Sequence, residues 1–428
     1  MNKIIIFILI FVGTTLSNYL DFEIIVNENH YNQDIFVNHR LGQYSYWAII
    51  NPDLTLKWNI VLNDNKGWDF KVNNNNHLTY YRKQPEGASV PSSWYVMDPY
   101  MQEVDTLDCV NGYSSDYHDI QYTENGGYIL MAYAEEVIDI PQTSVIDTVN
   151  VLIIQEFDQQ HNLLFEWNNS DYMNIQDYVP SFNLNTPNIN WTHGNSIDID
   201  GDYLIISNRA MSEVVKYNRF TGEVMWTLGG PLNDFIFTND SLSGPYKQHD
   251  ARKLDNGNLM IFDNGHGSQA GVQARPSRVT EYSIDEDSLA ATLIWEYSHP
   301  EGYVSLNQGS SQRLENGNTL ISWGGVSGHG SIITEVNYNK DIVLELEYPI
   351  GSSTYKVRKS DWSFQINLIE GDLNLDGIVD VLDLIGSVNY ILSIEQHAPF
   401  YLHKIDINQD SYIDVLDLVE MINIIITS

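Results

Sequence analysis

Cysteine is almost absent from this chain of 428 residues. Cys109 stands alone, which excludes an intrachain disulfide and a cysteine-based zinc site. Positive charge is scarce: 21 lysines and arginines face 57 aspartates and glutamates, a formal net charge of −36. A surface of that sign repels phosphate backbones and anionic lipid, which argues against nucleic acid and membrane partners. Long apolar runs are missing too. The one near the start, Ile4–Val12, is too short to cross a bilayer as a helix. Helical periodicity hardly occurs before residue 365, and no Lys/Gly/Ser/Thr-rich loop is present to cradle a nucleotide. Aromatic residues, in contrast, are plentiful. The 27 tyrosines and 10 tryptophans suit an all-β protein.

Residues 1–17 read as a secretory signal, with Lys3 ahead of the Ile4–Val12 run and small residues at Thr15-Leu16-Ser17. This predicts an exported protein: secreted, periplasmic or held at the cell surface, with no membrane span.

The rest of the chain repeats itself. Gln248–Gly265 (QHDARKLDNGNLMIFDNG) opens on His249-Asp250, alternates to Asn256-Gly257 and returns as the apolar strand Asn258–Phe262. Asn-Gly between two period-2 runs predicts a hairpin with a type I′ turn. The phrase recurs at His118-Asp119…Asn125-Gly126, His193-Gly194…Asp200-Gly201 and Gly309-Ser310…Asn316-Gly317, with a weaker copy at Asp69-Phe70…Asn75-Asn76. A second hairpin follows each copy, and its last strand often carries tryptophan, as at Trp167, Trp226 and Trp295. The spacing is irregular, roughly 50 to 75 residues, which fits four strands with variable loops rather than a helical solenoid. Tyr44–Trp58 holds only the second half of a unit, and Thr354–Trp362 looks like the missing inner half. Joined, they make a sixth unit and leave no open sheet edge. The fold class predicted is all-β: a six-bladed β-propeller in residues 18–365, its repeats running from about residue 40, closed by both chain ends.

Composition shifts in the tail, residues 366–428. Asp372, Asn374, Asp376, Ile378, Asp380 and Asp383 stand at positions 1, 3, 5, 7, 9 and 12 of a calcium loop. Asp406, Asn408, Asp410, Tyr412, Asp414 and Asp417 repeat the set, with Ile378 and Tyr412 offering backbone carbonyls. Oxygen donors on alternate residues can converge on a hard cation. One such run would pass as an acidic helix cap, but two in tandem, each followed by an apolar helical pattern, predict bound Ca2+. The tail resembles a type I dockerin, which implies a cohesin-like protein partner. It departs from the usual pattern at loop positions 10 and 11. Val381-Leu382 and Val415-Leu416 stand where small hydroxyl residues are common, and these apolar pairs are equally suited to docking on the chain's own propeller.

Innermost strands of a propeller line a central channel, so residues that begin the repeated phrase converge there. His118, His193 and His249 are therefore predicted around one cavity. A single histidine in that position would be a structural hydrogen-bonder; three in one register argue for a site. Arg209, unless it is a surface arginine between blades, returns to the same mouth after the strand that pairs with the His193 phrase. Three imidazoles and a guanidinium suit sulfuryl or phosphoryl transfer. One imidazole attacks and carries the group, another moves the proton, and the guanidinium holds the equatorial oxygens.

The propeller resembles the arylsulfate sulfotransferase family, on WTHGNSIDIDGDYLIISNRAMSEVVKYN, QHDARKLDNGNLMIFDNG with RPSRVTEYSID, HDIQYTENGGYIL and TYKVRKSDW. The resemblance spans about Tyr44 to Trp362. It implies ping-pong transfer from a phenolic sulfate ester to a phenol acceptor without a nucleotide cofactor. His249 becomes the transient sulfate carrier, His193 and Arg209 hold the sulfuryl group, and His118 completes the site. Asn264, Arg278 and Asn195 are candidates for supporting these groups, against the commoner roles of turn asparagine and surface arginine. The fusion to a calcium module makes polymer-derived substrates attractive. A non-catalytic propeller that binds glycan or protein, anchored by the same module, is the alternative. A quinoprotein-like dehydrogenase would need the Tyr217–Trp226 phrase in nearly every blade, and only one copy is clean.

Overall fold

The computed structural model of the chain describes residues 21–62, 67–84, 92–140, 147–181, 188–266, 275–363, 369–373, 378–392, 405–408, 410 and 412–427. The expected signal at residues 1–17, and Asn374 and Asp376 of the first acidic loop, lie outside the described residues.

Six sheets of four or five strands, antiparallel but for a short parallel edge strand in two of them, form a β-propeller, followed by helices at Val381–Ile391 and Val415–Thr427. Numbered along the chain, blade 2 begins at Gly67–Val72, blade 3 at Ser115–Tyr122, blade 4 at Gly194–Asp200, blade 5 at His249–Lys253 and blade 6 at Ser310–Arg313. Each of these is the innermost strand of its sheet. Tryptophan does fall on the fourth strand from the axis, at Trp58, Trp167, Trp226 and Trp295, and each is buried. Trp167 shows why: it stacks 4.3 Å from Tyr217 of the next blade and donates its indole N–H to Gly222 O at 3.0 Å. At Trp167, and at Trp295 with Tyr338 O at 3.0 Å, the indole buries a large apolar face and still satisfies its one donor, which suits a wedge between twisted sheets.

Two sequence-based expectations change in detail. Blade 1 is not assembled from two halves. The C-terminal end supplies only the innermost strand, Ser353–Ser360, and the N-terminal end supplies the other three, starting with Asp34–Leu41. Val37 lies opposite Val357 and Asp34 opposite Ser360, so backbone pairing closes the ring. Asp34–Leu41 was invisible as a repeat because it lacks the leading phrase, which the C-terminal strand carries in its place. A further strand, Glu23–Asn27, adds to the outer edge of blade 6, so ordered β-structure starts well before residue 40. The hairpin turns also differ. Gly257 N–H donates to Leu254 O and Leu254 N–H to Asn258 O, both at 2.8 Å. Only Gly257, at φ 84°, is left-handed, while Asn256 is not. This is a three-residue loop, a type I turn with a bulge at glycine, in place of a type I′ turn.

Buried charge pins the inner strands together. The Asp119 carboxylate of blade 3 accepts from Lys71 of blade 2 (2.7 Å), Arg252 of blade 5 (2.6 Å) and the backbone N–H of Ile197 in blade 4 (3.0 Å). Asp250 of blade 5 does the same for Ser311 N–H (3.0 Å) of blade 6 and Arg358 (2.6 Å) of blade 1. Two carboxylates thus tie all six blades around the axis.

Candidate functional site

The first residues of the inner strands meet at one end of the channel, as their register predicts. The His118 and His193 rings lie edge to face with centroids 5.1 Å apart. Tyr355, on the closing strand, is 5.7 Å from His118. The backbone N–H of Arg209 donates to His193 O at 3.0 Å, and its charge acts on both His193 and His249, so the guanidinium does return to this mouth. His193 and Lys247 hold left-handed backbones, at φ 55° and 54°. Such conformations cost on the order of 1–3 kcal/mol outside glycine and concentrate at functional sites.

The three imidazoles have different partners behind them. His249 Nδ1 lies 2.6 Å from Asn264 Oδ1, and both residues are buried. The amide cannot be turned round, because its Nδ2 donates to the backbone carbonyl of Gln308 at 2.9 Å and to Ser305 Oγ at 3.1 Å. A carbonyl only accepts, so the amide oxygen must face His249. His249 Nδ1 therefore carries the proton, and the Nε2 lone pair is left free. His118 Nδ1 is instead held by the Asp116 carboxylate, which also accepts the His118 backbone N–H at 2.9 Å. His193 Nδ1 pairs with the Asn190 side-chain amide at 3.1 Å.

Electrostatics separate these groups further. Burial, then Arg209 and His118, lower His249 to about 3, so its ring is neutral at ordinary pH. Burial and the nearby His118, Arg209, His249 and Lys247 push His193 well below the usual histidine value. Burial followed by Arg209 lowers Lys247 to about 8. Arg209 has no carboxylate partner among the described residues, and its Nε is buried without an acceptor. An unpaired guanidinium in a partly desolvated mouth offers its donors to an incoming anion.

All four predicted site residues are thus brought together: His118, His193, Arg209 and His249. Asn264 supports His249 directly, and Asn195 donates to Gln248 O at 2.8 Å, bracing the residue before it. Arg278 does not belong to the site. It is buried in an ion cluster with Asp240 and Asp263, both at 2.9 Å. Sequence reasoning passed over Lys247, Tyr355 and Asp116, although Lys247 adjoins the QHD phrase and Asp116 stands two residues before His118. A cavity of about 280 Å³ opens at the other end of the channel, lined by Lys71, Asp198, Arg252, Gln312, Arg358 and Lys359. None of the three histidines reaches it, and its four cations all have carboxylate partners.

In the tail, Asp380 caps Val381–Ile391 in a capping box with Asp383. Asp383 ties its loop shut, accepting from Leu373 N–H at 2.7 Å and Asp380 N–H at 2.9 Å. Asp417 repeats this with Asp414 N–H at 2.8 Å. No cluster of three or more His, Cys, Asp or Glu able to hold a metal occurs among the described residues. The donor chemistry nevertheless fits Ca2+. Asp372, Asp383 and Asp417 are buried, and the segment 370–428 offers only Lys404 as a counter-charge. Val381, Leu382, Val415 and Leu416 are 57–63% exposed, so both apolar pairs are open to solvent. Among the described residues, no helix is long and apolar enough to cross a membrane.

Comparison with known proteins agrees with both parts. The family profile Arylsulfotransferase (ASST) matches residues 26–357, and the Dockerin type I domain profile matches residues 370–426. Arylsulfate sulfotransferase AssT of Escherichia coli is 31% identical over 171 residues, covering 32% of this chain and 28% of that protein. The protein of the same name from Lelliottia amnigena is 31% identical over 144 residues, covering 27% and 24%. The matched stretch thus spans about a quarter of each curated relative. Among solved structures, a protein of unknown function from Dyadobacter fermentans aligns at 8% identity and a TM-score of 0.38, covering 78% of this chain and 86% of that one.

Proposed function

This chain belongs to the arylsulfotransferase family and carries a type I dockerin domain, and on that premise we propose that it moves a sulfuryl group between phenols through a sulfohistidine at His249. The observation that carries this reading is the locked tautomer of His249: a buried, neutral imidazole whose Nε2 lone pair is left free, with the charge of Arg209 acting on the ring.

In the first half-reaction Nε2 attacks the sulfur of an aryl sulfate. The N–S bond forms as the S–O bond to the aryl oxygen breaks, and the phenolate leaves with that electron pair. Arg209 and His193 hold the sulfuryl oxygens, where a guanidinium follows the charge as it redistributes. His118 passes a proton to the departing oxygen while Asp116 keeps its ring oriented. In the second half the acceptor phenol gives its proton to His118, and its oxygen takes the sulfuryl group from Nε2. Asn264 has a distinct part. An amide cannot remove the Nδ1 proton, so the sulfated ring stays cationic and remains a good leaving group. No nucleotide takes part. The reading places the protein outside the cell, exported by its N-terminal signal and attached by the tail to a cohesin-like partner. Ca2+ would be held there by Asp372, Asn374, Asp376, Ile378, Asp380 and Asp383, and by Asp406, Asn408, Asp410, Tyr412, Asp414 and Asp417. It would supply the counter-charge that folds the loops.

The purified protein should release p-nitrophenol from its sulfate ester faster when phenol is added. Donor labelled with 35S should leave label on the wild-type protein, and none on His249→Ala. Label retained by that variant would reassign the nucleophile, and no release with any phenol would return the propeller to a binding role.

A further inference from the structure

The rim of this mouth carries one more free cation. Among the described lysines and arginines that are buried or half-buried, all but three have a carboxylate within 4.0 Å; the three are Arg40, Arg209 and Lys247. In a protein of net charge −36, that grouping on one face is the opposite of what solvation alone would produce. Arg209 and Lys247 lie beside His193. Arg40 lies on the other side of the site, opposite Ser353 and two residues from the level of Tyr355.

A column of rings joins Arg40 to the histidines. Its guanidinium carbon is 4.3 Å from the centroid of Trp68, Trp68 is 4.5 Å from Tyr117, and Tyr117 stacks 4.2 Å from His118. Stacking fixes the guanidinium plane and uses none of its donors. The Arg40 side chain makes no hydrogen bond to any described residue, and its Nε is buried without an acceptor. The rest of the buried ion network spends its cations on carboxylates; this one is held in place and left open. Tyr117 and Tyr355 each contact both His118 and Trp68, so a ring packed on them has one end at the histidines and the other toward Arg40.

We propose that Arg40, stacked on Trp68, is a second anion subsite that selects aryl substrates carrying an acidic substituent on the ring. The shared chemistry is an anionic oxygen group, carboxylate or second sulfate, taken by a planar fork of donors. The inference rests on the sulfuryl-transfer reading for the orientation of the ring, and its test is built to fail separately.

The test compares KM for 4-carboxyphenyl sulfate with KM for 4-nitrophenyl sulfate, in wild type, Arg40→Gln and Arg40→Lys. Wild type should favour the carboxylated ester by about tenfold, the size of one added charge-assisted hydrogen bond. Arg40→Gln should bring the ratio to near one, and Arg40→Lys, which keeps the charge but not the fork, should keep part of it. A wild-type ratio near one, or a preference that survives Arg40→Gln, overturns the subsite. If no ester turns over, the transfer reading has failed. The subsite is then read from calorimetric binding of 4-hydroxybenzoate against phenol, with the same ratios supporting or overturning it.

Discussion

At the scale of single residues, chemistry is assigned by what stands behind each imidazole. An amide behind His249 and a carboxylate behind His118 give two buried histidines, 3% and 5% exposed, different proton inventories. Asn264→Asp tests this directly. A carboxylate would take the Nδ1 proton of the sulfated ring, leaving a neutral and more stable sulfoimidazole. Turnover should fall by roughly 100-fold, while the 35S-labelled form accumulates and outlives that of the wild type. An equally short-lived label would remove Asn264 from this role. The pH dependence follows from burial. Because His249 is lowered to about 3, its neutral form persists far below the ordinary value of 6.5. The rate of labelling by donor alone should stay level from pH 7 to about pH 5, with loss only on approach to the lowered value. A limb centred near 6.5 in rapid-quench labelling would contradict the burial.

At the scale of elements, the site depends on buried ion pairs that hold its strands in register. Asp119 links inner strands of blades 2, 4 and 5 from its own position next to His118. Burial alone would raise its carboxyl, but Arg252, Lys356 and Lys71 together hold it well below the usual range. A carboxyl lowered in the folded state adds stability above its unfolded value, and that stability is lost as the pH falls through the folded one. Asp119→Asn leaves Lys71, Arg252 and Lys356 without their shared counter-charge. It should cost about 3–5 kcal/mol at neutral pH, measured by urea denaturation of the full chain. A change below about 1 kcal/mol would mean that the network solvates itself by other routes.

At the scale of the whole molecule, closure and attachment are separate problems with separate solutions. The ring closes by pairing a C-terminal strand with an N-terminal one, so the site exists only when both ends are in place. The tail adds two loops in which buried carboxylates outnumber any local cation. Calorimetric titration of the full chain with Ca2+ should show uptake at two loops, abolished by Asp383→Ala with Asp417→Ala, and chelation should loosen the tail while leaving the propeller's melting transition in place. No heat of binding in the wild type would end the calcium assignment.

How much was legible in the sequence differs by feature. Local turn chemistry repeats, so the Asn-Gly phrases revealed the blades, and their common phase put His118, His193 and His249 in one register before any coordinates. The acidic loops were legible for the same reason, since their alternating carboxylates and amides lie within twelve residues of one another. Three things were not. The strand Asp34–Leu41 carries no phrase because its inner neighbour, Ser353–Ser360, is at the other end of the chain. Arg278 looks like any strand arginine until Asp240, 38 residues away, closes on it. The roles of the histidines rest on Asn264, Asp116, Arg209 and the carbonyl of Gln308, which meet only after the ring has closed. The sequence by itself determined the repeat, because hairpin geometry is set by neighbouring residues. Tertiary structure alone decided which imidazole is neutral, which is backed by a carboxylate and which cations remain free. Burial and long-range pairing, not residue type, fix where a proton or a charge resides.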